Sequence, residues 1–227
     1  MVARTFALNR YLERGDAGET YHVRDDSLDQ VYGGVDAEDP LVRIAVDLTR
    51  GEALTYRGSP IVACYHACSG GHTASADAVW GVHLPYLKAH ADPSSTTSPY
   101  AVWQVRIPRQ DIEARIKDAY AWVGAIQEIV PARRDTSGRV TEMEIRHSRG
   151  RMWVSGDEFR RIVGYQRLRS TRFEVVRNGS CFQFQGGGWG HGVGMSQWGA
   201  KALAEEGQSM EEILAFYYPG TRIQTCY

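Results

Sequence analysis

The chain mixes two periodicities of hydrophobic and polar positions. Residues 1–14 and 109–120 place apolar side chains at the spacing of one helix face, whereas residues 101–107 and 140–147 alternate as half-buried strands do. Strands and helices follow one another without the regular strand–helix–strand order of a parallel sheet. The pattern therefore predicts an α+β fold.

A polar stretch at residues 92–99, Asp-Pro-Ser-Ser-Thr-Thr-Ser-Pro, is the best internal boundary. The residues that follow it, 101–180, carry a predicted hairpin and a predicted helix of their own. We therefore expect a two-lobed protein. Residues 1–100 and 181–227 form its core in this prediction, and residues 101–180 form an inserted α+β lobe.

The predicted core is organised around a glycine-rich stretch, Gly186–Ala200, in which six of the first nine residues are glycine. Glycine is favoured where φ is positive or where another group approaches the backbone closely. An alternating strand pattern precedes the stretch at residues 182–184, and strong helix formers follow it at residues 200–206. We predict a strand, a glycine-rich loop and the start of a helix.

Three polar side chains, His191, Ser196 and Gln197, lie in this stretch together with two tryptophans. Polar groups beside aromatic faces, on a backbone open to close approach, suit a sugar or another polar polymer. His191 is also a candidate general acid or base. The alternative is a tight loop in which the histidine only holds the structure.

A second cluster places four metal-ligand side chains within nine residues: Cys64, His66, Cys68 and His72. Thiolates and imidazoles are zinc ligands, and on an extended strand the first three share one face. Zinc sites usually draw their ligands from two separated pairs, however, and these four are all local. Two other interpretations therefore stay open, namely buried structural cysteines with a hydrogen-bonded histidine, and a cysteine nucleophile with a histidine base.

The composition does not indicate a nucleic-acid-binding protein or a membrane-spanning protein. The formal net charge is −1, so bulk electrostatics do not favour nucleic acid. No apolar run approaches the roughly 20 residues that a membrane helix needs.

We identify no signal peptide, and the first helical pattern lacks an N-cap, so we expect a start partway through a helix. Cys181 and Cys226 either pair in a disulfide, if the protein is exported, or stay as thiols.

Three stretches occur in an order that is informative: Val2–Leu8 (VARTFAL), Tyr65–Thr73 (YHACSGGHT) and Gly188–Lys201 (GWGHGVGMSQWGAK). Together they closely resemble the stage II sporulation protein D family (SpoIID/LytB). Ser137–Val140 and Ser155–Arg160 resemble the family's middle region. The resemblance covers nearly the whole chain. It implies a lytic transglycosylase that cuts peptidoglycan glycan strands, particularly strands stripped of stem peptides, or a relative that enhances cell-wall amidases.

The implied chemistry needs one carboxylic acid. It protonates the glycosidic oxygen and then deprotonates the muramic acid 6-hydroxyl, which attacks C1 and leaves a 1,6-anhydro end. In the family this acid is a glutamate N-terminal to the helix that carries the Ala-Arg-Thr motif, and no residue before Arg4 matches it. Arg4 matches the family's active-site arginine. We therefore expect either an acid upstream in a longer gene product or an inactive chain, and leave open whether the chain is an enzyme.

The resemblance also implies a site and partners. The expected glycan-binding residues are Arg4, Ser69, Gly70, Gly71, His191, Ser196 and Gln197. The expected partners are peptidoglycan glycan strands and a cell-wall amidase, with no nucleic acid, and the expected location is the cell envelope or outside the cell. No cofactor is required, although zinc is the candidate metal at the Cys/His cluster. The rival functions are a non-catalytic wall-binding module or amidase enhancer, and a zinc-dependent hydrolase.

Overall fold

The computed structural model describes residues 1–15, 21–26 and 29–226. Within these ranges the chain is an α+β protein, as its sequence predicts. The helices are α1 (Val2–Arg14), α2 (Pro40–Leu48), α3 (Ala76–Trp80), α4 (Arg109–Ala119), α5 (Gly156–Val163), α6 (Gln197–Glu205) and α7 (Met210–Tyr217). The strands are β1 (Glu52–Tyr56), β2 (Ser59–Pro60), β3 (Tyr65–His66), β4 (Trp103–Pro108), β5 (Ile126–Arg134), β6 (Val140–His147), β7 (Gly150–Ser155), β8 (Phe173–Asn178), β9 (Cys181–Gly186), β10 (Met195–Ser196) and β11 (Arg222–Thr225).

Two antiparallel sheets and two helices form what we call the middle lobe, residues 103–186. One sheet has the strand order β5-β6-β7 and the other the order β4-β9-β8. Helices α4 and α5 pack on them through Ile112, Ile116 and Phe159, which are fully buried. Strand β9 brings residues beyond 180 into this hydrophobic core. The division of the chain at residues 101–180 stays a prediction.

A second hydrophobic core lies in what we call the flanking lobe, residues 1–98 and 189–226. The sheet β11-β1-β2 packs there with α1, α6 and α7 around Leu54, Ile61 and Tyr218. Helix α1 is fixed to this sheet by Thr5, which is fully buried. The Leu54 N–H donates a hydrogen bond of 2.9 Å to the Thr5 hydroxyl oxygen.

The glycine-rich stretch folds into the predicted strand, loop and helix. β9 leads into it, β10 and α6 follow, and the Ser196 side chain caps α6 by accepting a hydrogen bond from Gly199 N at 3.2 Å. β10 pairs in parallel with β3, with Met195 opposite Tyr65 and Ser196 opposite His66. This pairing joins two segments that are about 130 residues apart in sequence.

All four cysteines are free thiols. Cys64 and Cys68 are buried, whereas Cys226 is exposed. The disulfide between Cys181 and Cys226 that the sequence left open is therefore not formed in this structure. None of the helices in the described ranges combines the length and the apolar character that crossing a membrane requires.

The Thr5–Leu54 bond gives a test of how α1 is held. Replacing Thr5 with Val keeps the shape but leaves the buried Leu54 N–H without an acceptor, so we expect the free energy of unfolding to fall by about 1–3 kcal/mol. Urea denaturation measures it. Thr141→Val, at a position on β6 without a side-chain hydrogen bond in the described structure, is the control and changes stability by less. Equal losses in the two variants contradict the role of Thr5.

Candidate functional site

The glycine-rich loop and the stretch Cys64–Ala74 are hydrogen-bonded into one unit. Cys68 and Trp189 exchange two backbone hydrogen bonds of 3.0 and 2.8 Å. Further along, the N–H of Ala74 donates to Gly192 O at 2.8 Å. The two motifs that carry the family resemblance therefore fix each other's backbone.

A cleft of about 550 Å³ opens beside this unit, between the two lobes. Aromatic rings, two imidazoles, a guanidinium and three side-chain amides line it. These side chains belong to Gln30, Tyr65, His66, Trp80, Trp189, His191 and Gln197 of the flanking lobe and to Arg160, Tyr165 and Gln166 of the middle lobe. Its carboxylates are those of Asp29 and Asp157. Aromatic walls with a few polar groups are typical of a ligand site.

His191 uses both ring nitrogens to hold the backbone. Val193 N donates to Nδ1 at 3.0 Å, so the ring proton is on Nε2, which donates to Tyr65 O at 3.1 Å. Burial and the neighbouring guanidinium groups of Arg160 and Arg139 lower the pKa of His191 to about 4. His191 is thus a neutral imidazole that ties the loop to β3, and it presents its ring, not a free nitrogen, to the cleft.

His66 lies beside it, with the two imidazole centroids 5.5 Å apart. Its Nδ1 is 3.2 Å from Val193 O and must donate to that carbonyl. Burial, His191 and Arg139 hold the pKa of His66 well below its usual range. Its Nε2 is therefore an unprotonated acceptor, buried without a hydrogen-bond partner among the described residues.

Arg139 connects the two lobes beneath the cleft. It follows a turn in which Asp135 Oδ1 accepts hydrogen bonds from the N–H groups of Ser137 and Arg139, each at 2.9 Å. Its guanidinium is buried and donates to Ser69 O at 2.9 Å and to His72 O at 3.0 Å in the flanking lobe. Burial lowers the pKa of Arg139 to about 10, so the side chain stays charged at neutral pH.

Arg160 of α5 forms part of the cleft wall. Nε donates to Leu168 O at 2.7 Å and Nη2 donates to Arg169 O at 2.8 Å. Its guanidinium carbon lies 4.5 Å from the ring centroid of Tyr165. The third nitrogen, Nη1, is 4.0 Å from Asp157 Oδ1, beyond hydrogen-bond distance.

The turn at Ser69, Gly70 and Gly71 and the hydroxyl of Ser196 lie behind the loop and do not line the cleft. Ser69 Oγ donates to the buried carboxylate of Asp92 at 2.7 Å, and Ser69 N donates to Ser196 Oγ at 3.2 Å. Both serines are fully buried. Of the seven expected glycan-binding residues, the structure places His191 and Gln197 in the cleft.

Arg4 lies apart from the cleft. Its guanidinium donates to Val46 O at 2.7 Å and to Thr49 O, at the C-terminal end of α2, and to Glu52 O of β1 at 3.2 Å. The two α2 carbonyls carry the negative end of the helix dipole, so a guanidinium stabilises them there. In this structure Arg4 therefore holds α2 next to β1.

The predicted zinc ligands do not converge. Cys68 Sγ contacts Ser95 O at 3.4 Å, and His72 Nδ1 lies 2.7 Å from Thr73 O. Burial raises the pKa of the Cys64 thiol to about 12, which disfavours the thiolate that a metal needs. Among the described residues no group of three or more His, Cys, Asp or Glu side chains is placed to hold a metal ion. The geometry therefore gives the zinc site no support, and no step below uses one.

Sequence reasoning did not select several residues that build the site: Trp80, Arg139, Asp157, Arg160 and Tyr165. Three of them belong to stretches that resemble the family's middle region: Arg139 to Ser137–Val140, and Asp157 and Arg160 to Ser155–Arg160. No local pattern indicates that a guanidinium from a distant turn reaches the carbonyls of Ser69 and His72, which are about 70 residues away.

Comparison with known proteins extends these observations. Residues 1–56 match a family model described as stage II sporulation protein, and residues 86–194 match one described as a domain of unknown function (DUF8618). The chain is 30% identical to the amidase enhancer of Bacillus subtilis (strain 168), over 98% of its own length and 37% of that protein.

Two further relatives are called stage II sporulation protein D. The one from Bacillus subtilis (strain 168) is 30% identical over 98% of this chain and 66% of its own length. The one from Bacillus amyloliquefaciens is 33% identical over 79% of this chain and 49% of its own length. The chain thus spans about one third to two thirds of these relatives.

The packing of Arg139 on the loop can be tested at Gly192. This residue has φ +86°, and a Cβ there would stand 2.3 Å from Arg139 Nε. We expect Gly192→Ala to lower the free energy of unfolding by about 2 kcal/mol or more, because it adds overpacking to backbone strain. Gly207→Ala is the control, since Gly207 has φ +89° and open space. Equal destabilisation in urea melts contradicts the close approach.

The neutral imidazole of His191 makes stability depend on pH. Its pKa is about 4 in the folded chain against the ordinary 6.5, so below pH 6.5 the unfolded chain binds more protons. The free energy of unfolding should fall as pH drops from about 6.5 to about 4, by at most about 1.4 kcal/mol per pH unit from this residue. Urea melts at several pH values should show a shallower slope for His191→Gln than for the native chain. Identical slopes contradict the assignment.

Proposed function

We propose, because this chain belongs to the stage II sporulation protein D (SpoIID) family, that it binds the glycan strands of bacterial peptidoglycan in the cleft between its lobes. The names of its relatives, stage II sporulation protein D and amidase enhancer, support a function connected with the cell wall. A location in the cell envelope or outside the cell follows from this proposal.

The observation that carries the proposal is the chemistry of the cleft. Trp80 and Trp189 supply aromatic faces, and Gln197 and Gln166 supply amide groups that both donate and accept hydrogen bonds. A glycan strand offers the matching surface, since each pyranose ring has an apolar face of C–H groups and a rim of hydroxyl and acetamido groups. Trp80 is 43% exposed beside the His191 ring, with ring centroids 5.1 Å apart, and is available for such a contact.

We further propose that the bound strand is cleaved as in a lytic transglycosylase, with formation of a 1,6-anhydro end. This step needs a carboxylic acid at the glycosidic oxygen. The two carboxylates that line the cleft are both ion-paired: Asp29 lies 3.8 and 3.9 Å from two arginines of α1, and Asp157 lies 4.0 Å from Arg160. The cleft residues described here would bind and orient the strand.

A second candidate function is the binding of glycan in support of a cell-wall amidase. One observation favours it: the relative named amidase enhancer matches 98% of this chain. In this function the same cleft holds the strand without cutting it.

Product analysis separates the two functions. The protein is incubated with peptide-stripped glycan strands, and mass spectrometry searches for 1,6-anhydro-muramic ends. Their appearance supports the transglycosylase. Binding without this product, together with faster wall digestion when a cell-wall amidase is added, supports the amidase enhancer. A protein that neither binds nor cuts the strands contradicts both.

The placement of the strand is tested at Trp80. We expect Trp80→Ala to weaken binding of peptide-stripped strands about tenfold, because it removes a central aromatic face of the cleft. Isothermal titration calorimetry measures the affinity, and the melting temperature checks the fold. The matched control is Trp153→Ala, which removes a tryptophan that is 52% exposed on β7 and does not line the cleft. Equal affinities of the two variants contradict this placement.

A further inference from the structure

We propose that His66 is a ligand-binding residue of the cleft, and that its Nε2 accepts a hydrogen bond from the acetamido N–H of a sugar ring. That the ligand is a glycan strand rests on the proposed function. That it supplies a neutral hydrogen-bond donor at this point is inferred from the surroundings of His66.

One nitrogen of the His66 ring is committed to the fold. Nδ1 lies 3.2 Å from Val193 O. A carbonyl oxygen can only accept, so the ring proton is on Nδ1, and Nε2 of the neutral ring carries a lone pair. The backbone therefore fixes the tautomer, and Nε2 can accept a hydrogen bond but cannot donate one.

The other nitrogen lacks a partner. His66 lines the cleft and is 4% exposed. Of the buried side-chain nitrogen and oxygen atoms without a hydrogen bond in the described ranges, His66 Nε2 is the one that belongs to a residue of the cleft wall. A buried acceptor without a donor is unfavourable, because it has given up its hydrogen bonds with water. A ligand that brings an N–H or O–H group to this point removes the penalty.

The charges near His66 limit the donor to a neutral group. Burial, and after it His191 and Arg139, hold the pKa of His66 well below its usual range, and Arg160 acts in the same direction. The two guanidinium groups oppose a further positive charge beside the ring. The two carboxylates that line the cleft are already paired with arginines. An ammonium group is therefore a poor partner for Nε2.

An acetamido group meets both requirements. Its N–H is a neutral donor, and its methyl group and amide plane suit an aromatic surface. Such a surface adjoins the acceptor, since the ring centroid of His191 lies 5.5 Å from that of His66 and 5.1 Å from that of Trp80. Each sugar of a peptidoglycan strand carries an acetamido group at C2. Removal of the acetyl group leaves an amine, which binds a proton near neutral pH.

The experiment measures by calorimetry how the native chain binds two probes: peptide-stripped strands, and the same strands after chemical removal of their acetyl groups. One hydrogen bond to the ligand corresponds to about a tenfold change in affinity, so we expect a preference of about tenfold or more for the acetylated strands. Re-acetylation of the second probe with acetic anhydride should restore its affinity, which checks that the strands are otherwise intact.

His66→Asn separates ligand binding from structure. The side-chain N–H of Asn can take the place of Nδ1 and donate to Val193 O, whereas the Nε2 acceptor is lost. We expect this variant to melt close to the native temperature, to bind the acetylated strands about tenfold more weakly, and to bind the de-acetylated strands within twofold of the native chain.

His72→Asn is the matched control. Nδ1 of His72 also lies near a carbonyl oxygen, Thr73 O at 2.7 Å, but this side chain does not line the cleft. The control should bind both probes like the native chain.

The outcomes separate this role from the proposed function. Equal binding of the two probes by the native chain overturns the role of His66, whether or not the variant folds. An equal loss of affinity for both probes in His66→Asn, or the same loss in His72→Asn, overturns it as well, because a purely structural histidine would behave in this way. Each of these results leaves the proposed function intact. Failure of the native chain to bind the acetylated strands overturns the proposed function instead.

Discussion

A buried guanidinium holds this molecule together where its two lobes meet. Arg139 extends from a turn of the middle lobe and donates to the carbonyl oxygens of Ser69 and His72 in the flanking lobe. A charge taken out of water must meet acceptors, and these carbonyls accept only if both segments keep their backbone conformation. The walls of the cleft come from both lobes, so its shape depends on this contact.

The same positive charge contributes to the state of the two imidazoles in the cleft. Burial, and after it the nearby Arg139 and Arg160, lower the pKa of His66 and His191 and keep both imidazoles neutral. A neutral His191 can accept from Val193 N and donate to Tyr65 O at once, which a protonated ring could not do. The lobe contact and the hydrogen bonds of the glycine loop are therefore linked through electrostatics.

Much of the local structure follows from the sequence, but the roles of the site residues do not. Periodicity predicted α1, α4 and the strand–loop–helix around the glycine stretch. These elements depend on neighbours within a few residues. The pairs His191–Tyr65, Arg139–Ser69 and Arg4–Val46 are separated by 126, 70 and 42 residues, and only the folded chain determines them.

The structure suggests why so many glycines stand in the loop. Without side chains, Gly192 lets the Arg139 guanidinium lie against the backbone, and Gly190 leaves room for His66, whose Cβ would be 2.6 Å from an added Cβ. The loop therefore serves first as a surface on which charged and aromatic side chains pack. It follows that groups free to meet a ligand should be sought on the elements facing the loop, such as Trp80. The residues inside the glycine motif are largely committed to holding it.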